Sequence, residues 1–244
     1  MLFMWNGTVN SMTREEFTAD IFKIYAPVSL LSRKNGGEVV RIRNKALGKD
    51  LVMRSYPQQV EAYHQLSKIS CKNLPLIYDV IDLEDGQIVL EEFIEGITVA
   101  EVMETGKYRY RGTKKIIGEL CGALSLLHRR GLVHRDVKPE NIVIGTDGRV
   151  VLIDFNAARR VSAAKKDTVI MGTVGYASPE QLGMAASDAR TDIYAVGVLL
   201  NVMISGKHPS ELLIKGKAGR VVEKCTNVNP DKRYQSAEAL AKEL

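Results

Sequence analysis

The sequence predicts an α+β protein of two lobes, a small β-rich one with one main helix and a larger, mainly helical one. Three observations predict it. Short apolar runs punctuated by turn residues fill residues 25–56 and 76–93. After Glu95-Gly96 the apolar residues fall at helical spacing instead. The length, 244 residues, suffices for one large domain or for two lobes sharing a cleft, with a core that needs no staples.

Taken in order, residues 25–56 read as three short strands. Lys34-Asn35-Gly36-Gly37 turns between the first two, and Ala46-Leu47-Gly48-Lys49 turns before Leu51-Val52-Met53-Arg54. Pro57 starts a helix whose apolar positions are Val60, Tyr63, Leu66 and Ile69. Residues 76–80 and 87–93 are two more strands around the turn Glu84-Asp85-Gly86. In the second lobe, Ile116, Ile117, Leu120, Leu124 and Leu127 form one stripe of a helix. Residues 193–204 are almost continuously apolar, too short to span a bilayer and bounded by Asp192 and Ser205-Gly206, which predicts a fully buried helix. No internal repeat is present.

Composition excludes several classes. Hydrophobic residues at 45% and charged residues at 26% describe an ordinary soluble domain without a low-complexity tract. Cys71, Cys121 and Cys225 are far apart and odd in number, which points to reduced thiols in a cytoplasm and away from disulfide or zinc frameworks. The apolar start at Met1 stops at Asn6-Gly7, so no signal peptide is expected, and no stretch approaches the roughly 18 apolar residues a membrane helix needs, so no membrane span is expected. The net charge of +5 is scattered, with no aromatic-interleaved basic stripe, and no nucleic-acid partner is expected.

The chemistry concentrates in His134-Arg135-Asp136-Val137-Lys138-Pro139-Glu140-Asn141, followed thirteen residues after Asn141 by Asp154-Phe155-Asn156. Residues 142–144 and 150–153, with Thr146-Asp147-Gly148 between them, form a hairpin that returns Asp154 to the neighbourhood of Asp136. Two carboxylates, an amide and an ammonium then converge. Such a set can hold Mg²⁺ through oxygen and place a phosphate, which in-line phosphoryl transfer requires.

These motifs closely resemble the catalytic loop and metal-binding motif of bacterial-type, eukaryotic-like Ser/Thr protein kinases. The resemblance implies a bilobal kinase fold and a single domain over residues 1–244, with residues 1–91 as the first lobe, 92–96 as hinge, 97–244 as the second lobe and 154–180 as activation segment. It implies transfer of the γ-phosphoryl group of ATP, with Mg²⁺, to a protein Ser/Thr hydroxyl, autophosphorylation included. Asp136 would accept or orient the hydroxyl proton, Lys138 would steady the γ-phosphate, and Asn141 and Asp154 would bind the metal. Gly172-Thr173-Val174-Gly175-Tyr176-Ala177-Ser178-Pro179-Glu180 is similar to the end of the activation segment, with Ser178 where alanine is usual and Thr173 near Asp136 and Lys138. Asp192 would tie down the catalytic-loop backbone, and Arg233 would pair with Glu180.

For the nucleotide, the same resemblance points to Gly37, to Val39 and Val143 on either side of an adenine, and to Val52, which shares a strand face with Arg54. Arg54 would reach the phosphates, Glu61 would be its ion-pair partner or else a solvated charge, and Glu92 and Ile94 would offer backbone groups to the adenine edge.

Three positions depart from the family. Arginine at 54 stands where lysine is expected, and the two are not interchangeable at a crowded triphosphate; Lys45 and Lys49 are the alternative cations. The glycine-rich turn keeps only Gly36-Gly37, with Arg33 and Lys34 either compensating or merely solvated. Asn156 replaces a glycine and is expected to supply the positive φ of that turn. Arg135, supported by Arg159, Arg160, Lys165 and Lys166, would receive a phosphate on Thr168 if this basic loop carries a phosphosite. The runner-up reading is a pseudokinase, a nucleotide-sensing or scaffolding module. The end at Leu244 fits either a complete small protein or part of a longer kinase.

Overall fold

A computed structural model describes residues 11–34, 36–106, 110–161, 173, 175–182 and 187–244, and the chain divides into two units, Met1–Cys71 with Pro75–Ile94 and Lys72–Leu74 with Glu95–Leu244. The first unit is a five-stranded antiparallel sheet in the order β1-β2-β3-β5-β4, made of β1 (Tyr25–Lys34), β2 (Gly37–Asn44), β3 (Asp50–Tyr56), β4 (Ile77–Leu83) and β5 (Gly86–Glu92). Strand alternation gives it two different faces. One carries Val40, Ile42, Leu51, Met53, Ile81, Leu83, Ile88 and Leu90. The other carries Val39, Val52, Arg54, Val89 and Glu91, fixed by the pairings Val39↔Arg54, Arg54↔Val89 and Val52↔Glu91.

The first face is covered by a helix absent from the sequence expectations, α1 (Arg14–Ile24), which inserts Phe17 and Ile21 one turn apart at 0% and 2% exposure. A capping box starts it, with the Thr13 side chain accepting from the Glu16 N–H and the Glu16 carboxylate accepting from the Thr13 N–H. Lys45 Nζ donates to the carbonyls of Phe22 and Lys23 at its C-terminal end, where a cation suits the exposed carbonyls.

The helix expected from Pro57 is shorter than that. It is α2 (Glu61–Leu66), because the Val60 N–H is taken by Gln87 Oε1 at 3.2 Å and Val60 stays extended with no side-chain cap. Val60, Tyr63, Leu66 and Ile69 are nevertheless all buried.

The second unit has short strands β6 (Gly96–Thr98), β7 (Leu132–Val133), β8 (Ile142–Gly145), β9 (Val150–Leu152) and β10 (Arg159–Arg160) among helices α3 (Val99–Glu104), α4 (Tyr110–Arg129), α5 (Ala189–Ser205), α6 (Gly216–Cys225) and α7 (Ala237–Lys242). The expected α4 stripe is buried throughout. The apolar run at 193–204 lies within α5, which starts at the Asp188 cap and stops at Gly206, a left-handed residue with φ 71°. Gly197 on α5 faces Cys225 on α6 with no room for a side chain between them. The three cysteines are free; burial pushes the Cys121 thiol up to about 12, which makes it inert. Among the described residues no helix is long and apolar enough to cross a membrane.

Candidate active site

The loop after β7 runs from His134 to Lys138, closes in a single 3₁₀ turn at Pro139–Asn141 and enters β8. Gly148, at φ 80°, and Asp147, whose carboxylate accepts from the Arg149 N–H, shape the turn to β9. At the end of β9 the Ile153 N–H donates to the Asn141 carbonyl at 2.9 Å, so the chain entering Asp154 returns to Asn141 as the hairpin reading required.

Asp136 is the centre of a closed hydrogen-bonded set. Its Oδ2 lies 2.7 Å from Lys138 Nζ, and its Oδ1 accepts from Thr173 Oγ1 at 2.7 Å. Lys138 Nζ also donates to Thr173 Oγ1 at 2.7 Å. Asn141 Nδ2 donates to both the carbonyl and Oδ2 of Asp136 at 2.9 Å. Burial by itself would raise the Asp136 pKa, but the hydrogen bonds from Lys138 and Thr173 outweigh it and hold the carboxyl below its ordinary range. The carboxylate is therefore ionised at neutral pH and half-shielded from water.

A second layer fixes this loop. Asp192, 1% exposed on α5, accepts from the His134 N–H at 2.9 Å, the Arg135 N–H at 2.8 Å and His128 Nε2 at 2.8 Å. Arg135 has φ 69°, a left-handed value rare for a residue with a long, bulky side chain. Its backbone is gripped at both ends, the N–H by Asp192 and the carbonyl by Gln181 Nε2 at 2.8 Å. Gln181 Oε1 in turn accepts from the N–H and hydroxyl of Ser178, which gives the serine at that position a role an alanine side chain would lack. His134 is fully buried, edge-on to Phe155 at 5.0 Å between ring centroids, with Nδ1 accepting from the Asp136 N–H and Nε2 donating to the Ile153 carbonyl. Desolvation depresses its pKa, so it packs as a neutral ring.

Asp154 is half-buried with φ 64°. The expectation that Asn156 carries the positive φ is corrected here: the only non-glycine residues with positive φ among those described are Arg135 and Asp154, and Asn156 sits exposed in the turn that follows. The strained residue is the aspartate itself. Asn141, with its amide nitrogen committed to Asp136, keeps its oxygen for another partner, so Asn141 and Asp154 offer a hard cation two side-chain oxygens. Among the described residues no cluster of three or more His, Cys, Asp or Glu side chains could form a metal cage.

In the first unit, Gly37 opens β2 so close to the Ser55 carbonyl that an added Cβ would lie 2.9 Å from it. Val39 is half-buried, Val52 is 6% and Arg54 4% exposed, all on the face opposite α1. The carboxylate on Arg54 is not that of Glu61. Glu61 is exposed at the first position of α2, whereas Glu91 Oε1 accepts from Arg54 Nε at 2.7 Å with both side chains buried. The sheet explains the exchange, since Arg54 and Glu91 are diagonal neighbours on one face of adjacent strands. Glu91 was legible only as a charge directly after the apolar run Ile88-Val89-Leu90. Neither alternative cation is poised for a ligand: Lys45 caps α1, and Lys49 Nζ donates to Tyr78 Oη at 2.9 Å. Arg33 pairs with Glu38 at 2.8 Å in the exposed turn. The Glu92 N–H donates to the Leu76 carbonyl, and Ile94 is buried at the end of the unit.

Val143 lies in β8 of the second unit, 7% exposed and opposite Val151. Arg233, 2% exposed, grips Glu180 with both terminal nitrogens, at 2.7 and 2.9 Å. Lys165, Lys166 and Thr168 lie outside the described residues.

Comparison with known proteins places this geometry. Residues 28–244 match the family model described as protein kinase domain. The chain is similar to serine/threonine-protein kinase PknL of Mycobacterium tuberculosis, 40% identical over 149 residues, which is 59% of this chain and 37% of that protein. It is similar to serine/threonine-protein kinase PknB of Mycolicibacterium smegmatis, 30% identical over 70% of this chain and 33% of that protein. Serine/threonine-protein kinase D of Synechocystis is 26% identical over 82% of this chain and 44% of its own length. The matched part of the chain thus spans under half the length of each of these curated relatives.

Proposed function

The chain belongs to the protein kinase family, and on that premise we propose that it is a Ser/Thr protein kinase transferring the γ-phosphoryl group of ATP to a protein hydroxyl. The observation that carries the reading is the closed set of Asp136, Lys138, Thr173 and Asn141. An ionised Asp136, held by the three donors Lys138, Thr173 and Asn141, is built to take the proton of an attacking hydroxyl. Lys138, sharing that carboxylate, brings a positive charge to the transferred phosphoryl group. Thr173 fixes the distance between the two. Asn141 and Asp154 would hold Mg²⁺, which when bound neutralises charge on the phosphate oxygens.

On the first unit, Val39 and Val52 supply apolar surface for the base and Gly37 a close backbone approach, while Arg54 serves the phosphates. Val143 supplies apolar surface from the second unit, and Glu92 and Ile94 supply backbone groups to the base edge. Residues 1–244 act as one kinase domain, with 92–96 as hinge and 154–180 presenting the substrate, a second copy of the chain among the candidates. Free cysteines suit a reducing cytoplasm.

The test is phosphate transfer from Mg·ATP to the chain itself and to a generic basic protein. Asp136→Asn should lower kcat by roughly a hundredfold or more while nucleotide binding persists, because the amide cannot take the proton. Asp154→Ala should abolish transfer. Nucleotide binding without transfer by the wild-type chain, against any substrate or itself, would leave the scaffolding reading in possession.

A further inference from the structure

The peptide group between Arg135 and Asp136 is held at both of its polar ends. Its carbonyl accepts from Gln181 Nε2 at 2.8 Å, and its N–H donates to His134 Nδ1 at 3.3 Å. It follows the left-handed Arg135, φ 69°, a conformation that a non-glycine residue keeps only where its surroundings over-determine it. A peptide group turns as one rigid plane, so whatever fixes this one also fixes the direction in which the Asp136 side chain leaves the backbone.

Gln181 is 1% exposed in the 3₁₀ turn Pro179–Leu182. Its amide has one orientation: the Ser178 N–H can only donate, and it does so to Oε1 at 3.0 Å, joined by the Ser178 hydroxyl at 3.3 Å, which turns Nε2 towards the Arg135 carbonyl. The Gln181 N–H returns to the Ser178 carbonyl at 3.0 Å and closes a ring between the two residues. The neighbouring Glu180, gripped by Arg233, anchors the same turn. Thr173 touches the Asp136 carboxylate itself, whereas Gln181 reaches the backbone behind it.

We propose that Gln181 is a positioning residue for phosphoryl transfer: its amide, oriented by Ser178, holds the Arg135–Asp136 peptide plane and so aims the Asp136 carboxylate at the attacking hydroxyl. The inference rests on the reading of Asp136 as the group that takes the hydroxyl proton. It makes the Ser178–Gln181 pair part of the transfer step, where Glu180 and Arg233 beside it serve stability alone.

The experiment is steady-state transfer from Mg·ATP to a generic basic protein by the wild type, Gln181→Met, Asp136→Asn and the double variant, with the Kd of Mg·ATP and thermal melting measured alongside. Gln181→Met should lower kcat about tenfold or more with an unchanged Kd, since a small misplacement of a reacting group costs that much. In the Asp136→Asn background the same substitution should change kcat by less than about twofold, because a residue that acts through Asp136 then has no base to aim. An equal loss in both backgrounds, or no loss in either, overturns the proposal and leaves the kinase reading intact. Should Gln181→Met fail to fold, Gln181→Glu decides. It keeps the acceptor for Ser178 but offers the Arg135 carbonyl a donor only when protonated, so its kcat relative to the wild type should fall as the pH rises; a ratio independent of pH overturns the proposal. Transfer by Asp136→Asn as fast as by the wild type, or no transfer by the wild type, removes the reading of Asp136 as the base and this inference with it.

Discussion

Glu180 shows how a buried charge in this chain is made tolerable. Desolvation opposes its ionisation, but the two-pronged contact from Arg233 and a 3.0 Å hydrogen bond from Thr191 outweigh it and lower the pKa below the ordinary 4.5. A depressed carboxylate contributes stability that is present above its unfolded pKa and lost as pH falls through the folded one. The melting temperature of Glu180→Gln should therefore lie below that of the wild type at neutral pH, and the gap should narrow as pH drops below 4.5. Truncation is harsher than neutralisation: Glu180→Ala strands the Arg233 charge and should cost about 3–5 kcal/mol in denaturant unfolding. His134 works in the same direction by a different route. Its depressed pKa means that the unfolded chain binds a proton the folded one refuses, so stability falls as pH drops below 6.5.

Among the elements, the α5–α6 contact is set by the absence of a side chain. Gly197 lets the two helices meet at Cys225, and Gly197→Ala should overpack the contact by about 1–3 kcal/mol, read as a lower urea midpoint with an unchanged m value. The elements themselves were legible to different degrees, for physical reasons. The strands announced themselves because turn residues bound each apolar run, and α5 because a buried helix is apolar all round. The α2 start was misplaced because a side chain on β5, Gln87, takes the Val60 N–H, and propensity contains nothing of that partner. Helix α1 was missed although Thr13-Arg14-Glu15-Glu16 spells a capping box, since Phe17 and Ile21 make a stripe of only two. At the site, Asp136, Lys138 and Asn141 were legible from a contiguous motif. The partner of Arg54 was not, because pairing across β3 and β5 depends on register, which sequence spacing leaves open.

At the scale of the molecule, the family match begins at residue 28, while the sheet of the first unit depends on residues that precede it. Phe17 is 0% exposed in the heart of the α1 face, and Phe17→Ala should cost about 3–5 kcal/mol. Removing residues 1–24 would uncover that whole face, and the shortened chain should bind a hydrophobic dye and melt early; one that melts with the full-length chain would show α1 to be dispensable. The anchor of α1 has a further effect. Arg14, its first residue, reaches the Gly36 carbonyl at 3.3 Å, Ser55 Oγ at 3.2 Å and the Asp85 carboxylate at 3.2 Å, so one side chain ties together the helix start, the glycine turn and the β4–β5 turn. Those three segments cannot loosen separately. In amide hydrogen exchange they should open as one cooperative unit, with Gly37 and Phe17 exchanging at a common rate and both becoming faster in Arg14→Ala, so that the tempo of the glycine turn is kept by a helix that lies outside the family match altogether.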